Sequence, residues 1–451
     1  MSAAAHVEID RRRLRSLIDE EKSRFVASHP RSRVAFERSR ESMVGGVPMN
    51  WMDRWVGGFP VVLDHAEGAR LTDIDGHTYV DLCLGDTGAM AGHAPAATVR
   101  AIEERIRRGV TAMLPSEDSV WVAEELCRRF GLARWQFTLS ATDANRFAIR
   151  LAREITKRPR ILVFNYCYHG SVDETFVVLD GGRLRPRDRN VGPPVDPAMT
   201  TRVVEWNDVE GLERELAAGD VACVLAEPAL TNIGIVLPEP GYHEALRKLT
   251  RSAGSLLIID ETHTMSAGPG GFTSAHGLDP DMLTVGKALA GGIPIGAFGM
   301  TPAVAERVEK AAIDDTGGIG GTLAGNALSM AAARATLEHV LTDDAYGRML
   351  PLAERFAGGV QSVISELRLP WHVVRLGARA EYAFSPQPPR NGGAAHAVID
   401  HELDSYTHLN ALNRGVLLTP FHNMALMSPA TTPADVDLHT AVFREGAQRL
   451  L

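Results

Sequence analysis

An acid at the end of one apolar run and an amine at the end of another frame the chemistry of this sequence. Residues 256–259 (LLII) lead directly into Asp260 and Glu261, and residues 282–285 (MLTV) lead through Gly286 into Lys287. A carboxylate can keep a ring nitrogen protonated, and a lysine amine forms a Schiff base with an aldehyde. Together they describe a pyridoxal phosphate site, in which the protein tunes an electron sink. On spacing alone, a plainer alternative has equal standing, with Asp260 capping a helix and Lys287 a solvated charge. The distribution of lysines moves the balance. Arginine supplies almost all the positive charge, and the lysines are Lys22, Lys157, Lys248, Lys287 and Lys310. Of these, Lys287 alone directly follows a buried-looking run and precedes a glycine-rich turn (Gly291, Gly292, Gly296, Gly299). Arginine cannot stand in for it, because an imine needs an amine that can lose its proton.

Both apolar runs are short and carry β-branched residues, as expected of parallel strands buried on two faces. Groups just past such strands lie at the carboxyl edge of the sheet, where open α/β folds bind ligands. Strand and helix signals alternate from residue 136 to 290, which predicts a mainly parallel, doubly covered sheet. A strand at 136–139 precedes Ser140-Ala141-Thr142-Asp143-Ala144 and a helix at 145–156. Small hydroxylic residues there make either a phosphate cradle at a positive helix end or an ordinary helix cap. A strand at 160–164 runs into Tyr168-His169-Gly170, whose aromatic ring suits either a flat cofactor or the core. A strand at 221–226 ends in Glu227, with Asn232 nearby, and a helix is expected over 242–253. Farther on, Gly317, Gly318, Gly320, Gly321 and Gly325 surround Thr322 and Asn326 before a helix at 327–341.

The whole chain sets bounds on these readings. Its 451 residues suffice for more than one domain, and 45% hydrophobic content marks an ordinary globular protein. A net charge of −9 argues against nucleic acid as the main partner. No run approaches ~18 apolar residues, so no membrane span is expected. Cys83, Cys127, Cys167 and Cys223 are scattered without CxxC pairing, which points to reduced thiols in the cytoplasm and to no metal site. Residues 8–45 read as a helix pair, and 61–84 as a hairpin or meander around Asp75-Gly76. Residues 183–200 read as an Arg- and Pro-rich excursion. Three segments result: N-terminal helices and loop at 1–60, a large domain at 61–335, and a smaller C-terminal domain at 336–451.

Taken in order, the motifs DIDGHTYVDL, GHAP, SATDA, YHG, EPALTN, IIDETHT, GKALAGGIPIGAFG and GGTLAGNALSMAAA resemble those of class III (ω-) aminotransferases. These are fold-type I pyridoxal phosphate enzymes, and the similarity is greatest to the glutamate-1-semialdehyde aminomutase and β-amino-acid aminotransferase branch. The resemblance implies an α/β fold with a seven-stranded-type, mainly parallel sheet and a smaller α+β domain drawn from both termini. It implies that Lys287 forms the Schiff base with pyridoxal 5'-phosphate and moves the proton, and that Asp260 pairs with the ring nitrogen. It sets Tyr168 and Thr262 on the two ring faces, and Glu227 and Asn232 near the ring. Ser140, Ala141 and Thr142 would hold the phosphate, joined by Thr322 from the second subunit of a homodimer with shared active sites.

The departures are Ala141 for the usual glycine, Thr262 for valine, and His263-Thr264-Met265-Ser266 where the family's run ends in an arginine. Arg54, beside Trp55 in the N-terminal loop, and Arg375 or Arg379 are the candidates for binding a substrate carboxylate. The expected reaction is amino transfer from a small-molecule donor to an oxo acceptor. The alternatives are an intramolecular aminomutase or a racemase, and a non-catalytic scaffold is disfavoured by intact Lys287 and Asp260.

Overall fold

The computed structural model describes residues 7–188, 192, 196–311 and 318–451. The chain forms two compact units, one of residues 95–346 and 389–397, the other of 1–94, 347–388 and 398–451. These divisions differ from the expected boundaries after residues 60 and 335. The strands Leu63–Glu67, Arg70–Asp73 and Thr78–Asp81, assigned from the sequence to the large domain, share a sheet with Val416–Leu417. Hydrogen bonding to a strand far along the chain therefore draws this segment into the terminal unit, a pairing that local sequence does not announce.

The unit of residues 95–346 and 389–397 is built on a seven-stranded sheet. Its spatial order is Arg134–Thr138, Gly296–Met300, Met282–Gly286, Leu256–Asp260, Val221–Ala226, Arg160–Phe164, Thr201–Val204. Only Gly296–Met300 runs antiparallel to its neighbours. The strands Val221–Ala226, Leu256–Asp260 and Met282–Gly286 are buried at every position, as their unbroken apolar runs require. Helices Ala141–Thr156 and Tyr242–Ala253 help cover the sheet. On one side Trp206 is 1% exposed and meets Phe164 edge-on at 4.8 Å.

The other unit carries the helix pair Arg11–Ser28 and Pro30–Ser39, the four-stranded sheet already described, and a three-stranded sheet of His372–Leu376, Arg379–Ala383 and Met424–Leu426. Its last helix, Pro433–Leu450, opens on a capping box formed by Thr432 and Asp435. Glu21, fully buried on the first helix, is met by Arg414, Arg449 and the Asn413 amide. A buried carboxylate is tolerated there because each of its oxygens has a donor. All four cysteines are free. Among the described residues no helix is long and apolar enough to cross a membrane.

Three local expectations shift. The first sheet strand is Arg134–Thr138 instead of 136–139. The next helix starts at Ala141, four residues before the expected Asn145. Within the 183–200 excursion, Arg183–Pro186 pairs with Val177–Asp180 as a hairpin. Part of that excursion, residues 189–191 and 193–195, lies outside the described residues, as does Gly317.

Candidate active site

Five parallel strands of the large sheet end on residues with chemistry to offer. Ser140 follows Arg134–Thr138, Tyr168 follows Arg160–Phe164, and Glu227 follows Val221–Ala226. Asp260 closes its own strand, and Lys287 follows Met282–Gly286. Parallel direction puts all five at one edge, the carboxyl edge.

Asp260 is 4% exposed and held on both oxygens. Oδ1 accepts from the Thr262 N–H at 3.0 Å and the Thr262 hydroxyl at 2.6 Å. Oδ2 accepts from Asn145 Nδ2 at 2.8 Å and lies 2.9 Å from His169 Nδ1. Asn145 is itself aligned by the Thr284 hydroxyl, which donates to its Oδ1 at 2.6 Å. Burial disfavours the Asp260 charge, yet His169, Thr262 and Asn145 outweigh it and hold the carboxyl below its usual range. Burial likewise opposes the His169 cation, but Cys167 and Asp260 push the imidazole up to about 10. The result is a buried, ionised carboxylate with a fixed direction. Thr262, where the family has valine, uses its hydroxyl to lock Asp260.

Lys287 opens a single tight turn, Lys287–Ala290, with φ at 47°. That conformation is uncommon for a residue with a side chain and recurs at functional positions. Its Nζ lies 2.6 Å from His263 Nε2, and His263 Nδ1 lies 2.9 Å from Thr231 Oγ1. The Thr231 hydroxyl and N–H both donate to Glu227 Oε2, at 2.5 and 3.0 Å. The Tyr168 N–H donates to Glu227 Oε1 at 3.2 Å. Burial pushes the Glu227 carboxyl above its usual range, while His169 and Thr231 pull it back.

Close packing shapes the Ser140 turn. Ser140 caps the helix Ala141–Thr156, its Oγ accepting from Asp143 N at 3.2 Å. A Cβ on Gly296 would lie 2.3 Å from Ser140 O, and one on Gly170, at φ +77°, 2.1 Å from Thr142 Oγ1. A Cβ on Gly286 would come within 3.0 Å of the Ala141 methyl, so the alanine that departs from the family pattern is accommodated by a glycine opposite. Apart from the Asp143 N–H that Ser140 takes, the N–H groups of this first turn lie ahead of the helix's own ladder, at its positive end.

The remaining candidates are less tightly placed. Tyr168 and Asn232 are half-buried, and Thr322 is exposed on the loop before helix Ala327–His339. The substrate candidates all belong to the terminal unit. There Arg54 is exposed and stacks over Trp51 and Phe421 at 5.8 and 5.9 Å, while Trp55 packs against the Phe25, Phe59 and Tyr79 cluster. Arg375 is exposed, and Arg379 is 1% exposed and donates to Thr87 Oγ1 at 3.2 Å. The sequence reading did not assign Asn145, His169, Thr231 or His263 to the site. His169 and His263 were in view, one within YHG and the other as a departure from pattern. Thr231 was likewise in view within EPALTN, and Asn145 only as the expected start of a helix. Among the described residues, His29, Asp73 and His77 form one group with metal-ligand atoms in proximity. The Tyr79 hydroxyl already bridges it, 2.7 Å from His29 Nε2 and donating to Asp73 Oδ2 at 2.8 Å.

Comparison with known proteins matches residues 51–443 to the family model for aminotransferase class-III. A glutamate-1-semialdehyde 2,1-aminomutase from Desulfitobacterium hafniense is 35% identical over 417 residues, covering 90% of this chain and 95% of the relative. The crystal structure of a glutamate-1-semialdehyde-aminomutase from Pseudomonas aeruginosa PAO1 superposes with a TM-score of 0.97 at 51% identity, covering 99% of this chain and 100% of that one. A further structure from that organism is a complex with PMP. A β-phenylalanine aminotransferase from Variovorax paradoxus gives a TM-score of 0.86 at 26% identity, covering 96% and 97%. The residues present fit such a phosphorylated pyridine. A fixed buried carboxylate, an amine, and a glycine-lined helix start with N–H groups ahead of its ladder lie at one sheet edge.

Proposed function

The chain belongs to the class-III aminotransferase family, which works with pyridoxal 5'-phosphate, and from that premise we propose that it is an aminomutase. It shifts an amino group between adjacent carbons of one small amino aldehyde, of the glutamate-1-semialdehyde type. The observation that carries this reading is the 51% identity, over essentially the full length of both chains, to the Pseudomonas aminomutase. Transfer between two separate molecules, the first expectation from sequence, uses the same cofactor residues and is the second reading. Its support is the likeness to the Variovorax β-phenylalanine aminotransferase.

When bound, the cofactor supplies an aldehyde for an amine and a ring that takes up the electron pair of a breaking C–H bond. Asp260, fixed by Thr262, Asn145 and His169, would hold negative charge against the ring nitrogen. Lys287 would hold the aldehyde and would carry a proton between a substrate carbon and the cofactor. Ser140, Ala141 and Thr142 bind the phosphate at the helix start. Tyr168 and Thr262 would hold the ring on its two faces, with Glu227 and Asn232 near it. Arg54 or Arg379 binds a substrate carboxylate, and Trp55 supports that loop.

We propose a homodimer with shared sites. A groove of about 920 Å³ runs between residues 105–137 and 321–327, and Thr322 lies along it. Met113, Leu114 and Val120 line it and are exposed, and Leu323, beside Thr322, is exposed as well, apolar surface that a second copy of the chain would cover. With four free thiols, the enzyme acts in the cytoplasm. The test is incubation with glutamate-1-semialdehyde and no second carbonyl compound. Multiple turnovers to 5-amino-4-oxopentanoate support the mutase. Turnover only with an added oxo acid supports the second reading.

A further inference from the structure

Four side chains between two strand ends form a hydrogen-bonded line whose direction can be worked out donor by donor. Glu227 accepts at Oε2 from both the N–H and the hydroxyl of Thr231. A hydroxyl has one proton, so the Thr231 oxygen meets His263 Nδ1 as an acceptor, and the Nδ1 carries the hydrogen. The other ring nitrogen then presents a lone pair, and it is Nε2 that lies 2.6 Å from Lys287 Nζ. The carboxylate–hydroxyl–imidazole series therefore fixes the tautomer that points a base at the amine. It is the same logic by which a carboxylate orients a histidine toward a nucleophile elsewhere.

We propose that His263 is the base that deprotonates Lys287, held in the productive tautomer by Thr231 and Glu227. The ammonium form of Lys287 passes one proton from Nζ to His263 Nε2, which frees the nitrogen lone pair to attack the cofactor's aldehyde carbon. The positive charge moves to the imidazole, whose Nδ1–H faces Thr231 and, through it, the Glu227 carboxylate. In this transfer an N–H bond breaks on Lys287 and one forms on His263 with charge conserved, and the condensation that follows would release the aldehyde oxygen as water. The inference rests on the assignment of Lys287 to the cofactor aldehyde, and it is indifferent to which amino transfer follows. Asp260 pairs with His169, and the Glu261 carboxylate turns away to Thr264 and to the N–H groups of Phe272 and Thr273.

The experiment follows cofactor capture instead of turnover. Full-length cofactor-free protein is mixed with pyridoxal phosphate, and the visible absorbance of the bound cofactor is followed in time across pH. A borohydride-reduced sample, read by mass spectrometry, confirms the bond at Lys287 in every variant. Unassisted, a lysine loses its proton only near pH ~10. His263→Gln keeps a hydrogen-bonding side chain that cannot take a proton. Near neutral pH it should capture the cofactor about a hundredfold more slowly, with the deficit closing as pH approaches the lysine range. Thr231→Val, which leaves His263 in place and removes its tautomer lock, should show a smaller deficit of the same form. Capture as fast as wild type at neutral pH in His263→Gln overturns the proposal. So does slowing by one constant factor at all pH values, which marks a purely structural role. If capture at Lys287 fails in the wild-type protein itself, the assignment of the lysine fails instead.

Discussion

Asp260 shows how one side chain acquires its property from neighbours distant in sequence. Its carboxylate was legible as a strand-end acid, but its partners, Asn145 from the helix Ala141–Thr156 and His169 from the loop after Arg160–Phe164, could not be read from local pattern. Asp260→Asn should leave cofactor bound while slowing the conversion of bound substrate about a hundredfold, because a neutral amide no longer balances a protonated ring. Single-turnover absorbance kinetics provide the check, and an unchanged rate would exclude the pairing. The His169–Asp260 contact also sets a pH dependence. His169 has its folded-state pKa raised to about 10, so its stabilising contribution is complete below the unfolded histidine value of ~6.5 and is lost as pH rises through 10. Thermal melts of the wild type should therefore decline from pH 7 to 10 more steeply than those of His169→Asn. Parallel declines would show that the imidazole is not charged in the folded protein.

At the scale of elements, strands buried on both faces were the most legible feature. Uninterrupted apolar runs such as residues 221–226 and 256–259 have few alternatives in an α/β chain. Helix starts were less so. SATDA read as a turn before a helix, whereas Ser140 caps a helix that already includes Ala141. Serine, threonine and aspartate favour turns and first helical turns alike. Gly296 and Gly299 read as part of a glycine-rich turn, whereas they lie in the strand Gly296–Met300, and the neighbour at Gly296 is the backbone of Ser140. Gly296→Ala should lower stability by about 1–3 kcal/mol, since backbone at 2.3 Å cannot yield as a flexible side chain would. It should also weaken cofactor retention by displacing the helix start. Denaturant unfolding and cofactor dissociation would measure both, and an alanine variant equal to wild type in each would show that the approach is not needed.

At the scale of the molecule, the strands at 63–81, placed from sequence in the 61–335 segment, pair with a strand at 416–417. Local periodicity is blind to such long-range pairing. Assembly follows the exposed loop bearing Thr322. Mixing Lys287→Ala chains with Thr322→Glu chains should restore activity on subunit exchange, since each hybrid has one intact composite site. No regain despite demonstrated exchange would remove Thr322 from the neighbour's site. The central claim is that amino groups move within one substrate skeleton, and its most direct measurement is product stoichiometry. Purified enzyme is given glutamate-1-semialdehyde, free of other amines and carbonyl compounds, and 5-amino-4-oxopentanoate is quantified against enzyme. The expected result is many equivalents of product per subunit, matched one for one by substrate loss. Product that stops at or below a single equivalent, and resumes only when an oxo acid or amino donor is added, would contradict it.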